Sequence, residues 1–203
     1  MFVNNELGIE WWLPPRTASR MTRLIITKVG FELVDGHHIL GDGKSGRKII
    51  LNVRNPYSIV VSRYRQFYKK NISINYTYDW ETFKDFVRMF KSWVTDTGSF
   101  QFYTYPEILS SANTEPYFRV RYENYFNDLM SFDFIRDNQH LFPDELERLH
   151  KGKDGWVENS LFDTSIPYHE HYDQETADIV WEMYNNIFLY DGYDRESWKT
   201  ITI

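Results

Sequence analysis

The 203-residue chain contains no cysteine, which excludes disulfides, thiolate metal sites and cysteine nucleophiles together. It has no uninterrupted apolar run long enough to cross a bilayer, and its opening "MFVNNELGIEWWLPPRT" lacks the basic-then-apolar order of a secretory leader. A cytoplasmic protein without a membrane span is the expectation. An excess of positive charge is missing too: the formal net charge is −6, which argues against a general nucleic-acid binder. Any anion site must therefore be a local concentration of Arg and Lys. No fixed-period repeat and no low-complexity linker interrupts the sequence. What is present, 42% hydrophobic residues at this length, fits a single domain over residues 1–203 with a sizeable core. Aromatic residues make up 18% of the chain, and most of those rings are expected to fill that core.

Strand and helix patterns alternate. Ile9 to Leu13 reads as a first strand, stopped by Pro14 and Pro15. In "RTASRMTRLIITKVGF", Thr17 or Ser19 can cap a helix running to about Val29, where Gly30 ends it. Phe31 to Leu40 holds a second short strand, and "GDGKSG" is a loop. Lys48 to Val53 is apolar enough for a strand buried on both faces of a parallel sheet. Pro56 suits the first turn of the helix that follows, which runs to about Tyr68. "DWETFKDFVRMFKSWV" carries an apolar stripe at helical spacing, Tyr117 to Tyr122 reads as another strand, and "DQETADIVWEMYNNIFLY" is a closing helix with an acidic start. The pattern predicts an α/β fold with a central, mostly parallel sheet flanked by helices.

In such folds ligands bind beyond the carboxyl ends of the strands. Arg54 lies just past the Lys48 to Val53 strand, and Ser62 follows it by eight residues on the next helix. A guanidinium, a hydroxyl and a helix start together suit a phosphate. A second anion site is predicted in "LPPRTASR", from the backbone N–H groups of Thr17 to Arg20, the hydroxyls of Thr17 and Ser19, and the Arg16 side chain. The stretch lacks the spacing of a nucleotide-triphosphate loop. Two phosphate sites at neighbouring strand ends suggest a nucleotide phosphorylated at two positions. The plain alternatives are a carboxylate partner for Arg54 and a backbone hydrogen bond for Ser62.

These segments resemble the sulfotransferases that use 3′-phosphoadenosine 5′-phosphosulfate (PAPS). "PPRTASR" is similar to their 5′-phosphosulfate loop, with Ala18 where the family usually has Gly and Arg16 where many members have Lys. "VRNPYSIVVSRY" is similar to their 3′-phosphate motif, and is the more specific match. "RVRYENYFNDL" resembles a later family strand whose tyrosine lies near adenine. "YDQETADIVWEMYNNIFLYDGYDRESW" resembles the closing helix of the carbohydrate and microbial branches. The segments occur in the family's order over nearly the whole chain, although its middle is short. The resemblance implies a P-loop-like sulfotransferase fold in which Arg16, Thr17, Ala18, Ser19 and Arg20 hold the 5′-phosphosulfate. By the same resemblance Arg54 and Ser62 hold the 3′-phosphate and Tyr122 flanks adenine. "LHKGKDGWVEN" resembles a basic loop that closes over the 3′-phosphate in some members, which would recruit Lys151 or Lys153; a solvated surface turn is the alternative.

The implied reaction moves a sulfuryl group from PAPS to a hydroxyl or amine of a carbohydrate or small-molecule acceptor, leaving PAP and needing no metal. Arg16 is the candidate to stabilise the leaving phosphate. "DGHHIL" supplies the candidate base, since His accepts a proton near neutral pH. Of the pair, His38 best matches the family's place for a catalytic His, while a carboxylate such as Glu32 or Asp35 is the fallback. Two adjacent His residues on a strand chelate a metal poorly, so no metal site is expected. Two other classes compete: an inactive nucleotide-binding or interaction protein of the same fold, suggested by Ala18, and a small-molecule kinase, which should carry a Walker loop and a carboxylate for Mg2+.

Overall fold

The computed structural model describes residues 1–34, 40–69, 82–97, 105–150 and 166–199. The chain divides into two compact units. The first holds the five strands found among the described residues: β1 (Phe2–Asn4), β2 (Ile9–Trp12), β3 (Glu32–Leu33), β4 (Lys48–Val53) and β5 (Phe118–Arg121). With them go the helices α1 (Ser19–Lys28), α4 (Tyr105–Ser111), α5 (Tyr125–Met130), α6 (Asp133–Arg136) and α7 (Pro143–His150). The second unit is built on α2 (Pro56–Lys69), α3 (Phe83–Thr97) and α8 (Gln174–Asp191).

The sheet has the order β3-β1-β2-β4-β5, and it is mixed. β2, β4 and β5 run parallel, whereas β1 is antiparallel to both β2 and β3. The expectation of a mostly parallel sheet is thus corrected to two parallel pairings out of four. The cause is a hairpin at the very start of the chain: Gly8, at φ 64°, closes the turn that folds β1 back on β2. The strand expected over Phe31 to Leu40 is confined to Glu32–Leu33 among the described residues.

α1 begins at Ser19, and its start differs from expectation. Ala18 occupies the N-cap in a left-handed conformation, with no side-chain cap. Thr17 precedes that N-cap by one residue, and its hydroxyl donates to the Pro14 carbonyl at 2.6 Å. Gly30, at φ 87°, follows the helix as predicted. One face of the sheet in this unit packs Phe2, Trp11, Ile50 and Val120 against Met21 and Ile25 of α1 and Leu129 of α5, with no side chain above 3% exposure. At about 25 cal/mol per Å² of buried apolar surface, side chains of this size each contribute roughly 2 kcal/mol or more.

In the second unit, Asn55 Oδ1 accepts the Tyr57 N–H and caps α2, with Pro56 at its first position as the sequence predicts. Phe83, Phe86, Val87 and Phe90 of α3 are buried, matching the predicted stripe. α8 opens on a capping box made by Asp173 and Thr176 and ends at Gly192, whose φ is 70°. Arg88 and Lys84 on α3 pair with Glu175 of α8, and Lys91 pairs with Glu182; these exposed pairs are worth little individually.

Candidate functional site

The strand order reverses at β2. After β2 the chain leaves through α1 for β3 on one side of the sheet, whereas β4 pairs with β2 on the other side. In open α/β sheets such a switch point, beyond the carboxyl ends of the strands, is where ligands bind. β4 and β5 end level there, Val53 opposite Arg121, and β2 ends two residues earlier, Trp12 opposite Leu51. Just beyond those ends lie the loop Leu13 to Ala18, then Arg54, then Tyr122.

Arg54 ties the three together. Its Nη1 donates to the Arg16 carbonyl at 3.0 Å, and its guanidinium lies 3.6 Å from the centre of the Tyr122 ring. Stacking on an aromatic face fixes the plane of the guanidinium and is worth about 0.5–1 kcal/mol at partly exposed sites. Tyr122 is held in turn by the bend after β5. Asp128 accepts the Arg121 N–H at 2.7 Å through Oδ2 and the Asn124 amide at 2.7 Å through Oδ1.

The loop itself is conformationally demanding. Arg16 and Ala18 both have positive φ, 68° and 59°. Non-glycine residues hold such angles at a cost of order 1–3 kcal/mol, offset by the surrounding contacts. Those contacts come from inside: Thr17 is 2% exposed, and the Asn52 amide of β4 donates to the Thr17 carbonyl at 2.8 Å. Arg16, Ala18 and Ser19 are partly exposed and Arg20 is exposed. α1 begins directly after this loop with no acidic residue in its first turn, so its positive N-terminal end is not offset there.

Beneath the loop lies a buried polar network that the sequence reading did not single out. Asn52, fully buried, accepts from Trp11 Nε1 at 2.8 Å and donates to Thr22 Oγ1 at 2.7 Å as well as to the Thr17 carbonyl. Thr22 also bonds the Ala18 carbonyl at 3.2 Å and the Tyr125 hydroxyl at 2.7 Å. Burial holds the Tyr125 phenol well above its usual range, so it stays neutral. The available signal was the lone amide within "KIILNV", since a polar residue in a strand buried on both faces must find partners.

The structure therefore brings Arg16, Thr17, Ala18, Ser19, Arg54 and Tyr122 to one edge of the sheet. Ser62 lies in the second unit, in the second turn of α2, partly exposed. His37, His38, Asp35, Lys151 and Lys153 lie outside the described residues. Among the described residues no cluster of three or more His, Asp or Glu side chains is placed to hold a metal ion, and no helix is long and apolar enough to cross a membrane.

Residues 42–132 match the family model described as Sulfotransferase domain, which bears out the sulfotransferase resemblance of the motifs. The matched stretch includes Arg54, Ser62 and Tyr122 but not the loop after β2. No curated protein and no solved structure matches the chain.

Proposed function

We propose that the protein is a PAPS-dependent sulfotransferase acting on a carbohydrate or small-molecule acceptor, with a P-loop-like site in a single functional domain over residues 1–203. The observation that supports this most is the Arg54 guanidinium, stacked on Tyr122 and bonded to Arg16, beside a left-handed loop that opens α1. A planar cation fixed at the end of one strand and a helix start at the end of the next suit two phosphates of one nucleotide. Ala18 in place of the family's Gly does not argue for an inactive relative, because Ala18 adopts the positive φ for which Gly would be chosen.

The bound donor would supply an activated sulfuryl group attached to phosphate. In this reading the N–H groups of Thr17 to Arg20, the Ser19 hydroxyl and the Arg16 side chain hold the 5′ end. Arg54 and Ser62 hold the 3′-phosphate, with Lys151 or Lys153 as a further cation for it. Tyr122 lies near adenine and keeps Arg54 oriented. Arg16 stabilises the negative charge that grows on the phosphate oxygen as the S–O bond breaks. His38 takes the acceptor's proton as the new O–S or N–S bond forms. Such in-line transfer relies on positioning and charge stabilisation and asks for no metal.

The test is incubation with sulfur-labelled PAPS and a panel of hydroxyl and amine acceptors, with chelator present. Transfer of label with release of PAP supports the proposal. No transfer of sulfur label, together with chelator-sensitive phosphoryl transfer from ATP to the same acceptors, would favour kinase chemistry instead.

A further inference from the structure

Asn52 has no place in the motif resemblance, yet the fold commits its whole side chain to the loop after β2. Both of its amide N–H groups and its amide oxygen are engaged: the oxygen accepts from Trp11, and the two N–H groups donate to the loop and to the first turn of α1. It stands two residues before Arg54, which directly follows β4, so this segment grips the loop twice: Asn52 on the Thr17 carbonyl and Arg54 on the Arg16 carbonyl.

The consequence follows from peptide geometry. In a planar trans peptide the carbonyl and the next residue's N–H point in opposite directions. The described peptides here are trans. Drawing the Thr17 carbonyl inward to Asn52 therefore turns the Ala18 N–H away from the core. The Ala18 carbonyl is engaged by both the Thr22 N–H at 3.0 Å and the Thr22 hydroxyl at 3.2 Å, which turns the Ser19 N–H out beyond the helix start. Thr22 is itself fixed by Asn52 and Tyr125.

We infer that Asn52 is a positioning residue for the donor nucleotide. Its buried amide, acting directly and through Thr22, aims the Ala18 and Ser19 N–H groups at the 5′-phosphate, while the 3′-phosphate depends on Arg54. The inference rests on the nucleotide reading of this site and adds which residue shapes the 5′ half. A purely structural polar network would make a different prediction: loss of stability with no selectivity among nucleotides.

Three probes separate the cases: adenosine 3′,5′-bisphosphate, adenosine 5′-monophosphate and adenosine 3′-monophosphate, titrated calorimetrically at a temperature where melting curves show each variant folded. Asn52→Leu should weaken the two ligands with a 5′-phosphate about tenfold, the scale of one well-aimed hydrogen bond, and leave the 3′-monophosphate within about twofold of wild type. Should Asn52→Leu fail to fold, Thr22→Val decides, since it removes only the hydroxyl; Thr22→Ser, which retains it, should bind as wild type does. Equal weakening of all three ligands, or of none, overturns the inference while leaving the nucleotide reading intact. If the wild-type protein binds none of the three, the nucleotide reading fails and the inference with it.

Discussion

Replacing Arg54 by Ala removes a planar cation that the fold holds by two contacts, the Arg16 carbonyl at 3.0 Å and the Tyr122 ring at 3.6 Å. A charge-assisted contact to a phosphate is worth about 1.5–3 kcal/mol, and this one is pre-oriented, so little entropy is lost when a ligand arrives. We expect adenosine 3′,5′-bisphosphate to bind about 2–3 kcal/mol more weakly, roughly 30- to 160-fold at 25 °C. AMP senses Arg54 only through the Arg16 carbonyl and should lose less than about 1 kcal/mol, the scale of one ordinary hydrogen bond. Arg54→Lys should fall between, because an ammonium keeps the charge but cannot lie flat on Tyr122 or offer a fork of donors. Calorimetry on wild type and both variants measures each quantity. Parallel losses for the bisphosphate and AMP would refute the assignment of Arg54 to a 3′-phosphate, and so would an unchanged bisphosphate affinity.

Two further outcomes follow from other parts of the chain. His38→Ala should slow transfer about 10²- to 10⁴-fold while nucleotide binding persists, and His37→Ala should stay near wild type; equal rates for the two across pH 6 to 9, about the window around an unperturbed His, would send the search to Glu32 or Asp35. His171 is pushed down to about 4, first by burial and then by the Arg65 charge beside it. It is neutral in the fold but protonates near pH 6.5 when unfolded, so stability should be level above about pH 6.5 and fall as pH drops towards 4. Allowing for its partial exposure, the loss is about 1–3 kcal/mol. His171→Phe, which keeps an aromatic ring beside Tyr64 and Phe83, should flatten that decline in melting curves taken across pH 4 to 7, roughly the same window; an unaltered decline would contradict the assignment.

The parts of the fold legible in the sequence are those set by local chemistry. A β-branched apolar run gives β4, Pro56 at a first helical position gives α2, and the acidic start gives α8. β1 escaped because three residues are too few to show an alternation, and pairing with two neighbours makes the strand. The start of α1 differs for a related reason: a hydroxyl beside a helix looks like a cap, but the cap position falls on Ala18, between the two hydroxyl residues Thr17 and Ser19. In the site, Arg54 and the loop were found because their residue types are suited to anions wherever a strand ends. The role of Asn52 stayed hidden because its partners Trp11, Thr17 and Thr22 are 30 to 41 residues away in sequence and meet it only through the pairing of β2 with β4.

In the proposed function, the carboxyl ends of the central strands read a nucleotide by two phosphates and without a metal. Equilibrium binding of adenosine 3′,5′-bisphosphate and of AMP to the wild-type protein, each with and without chelator, tests it most directly. The bisphosphate should bind at least about tenfold more tightly, the least that one added charge-assisted contact should supply, and chelator should change neither value. Equal affinities for the two nucleotides, or binding that disappears with the chelator, would contradict it.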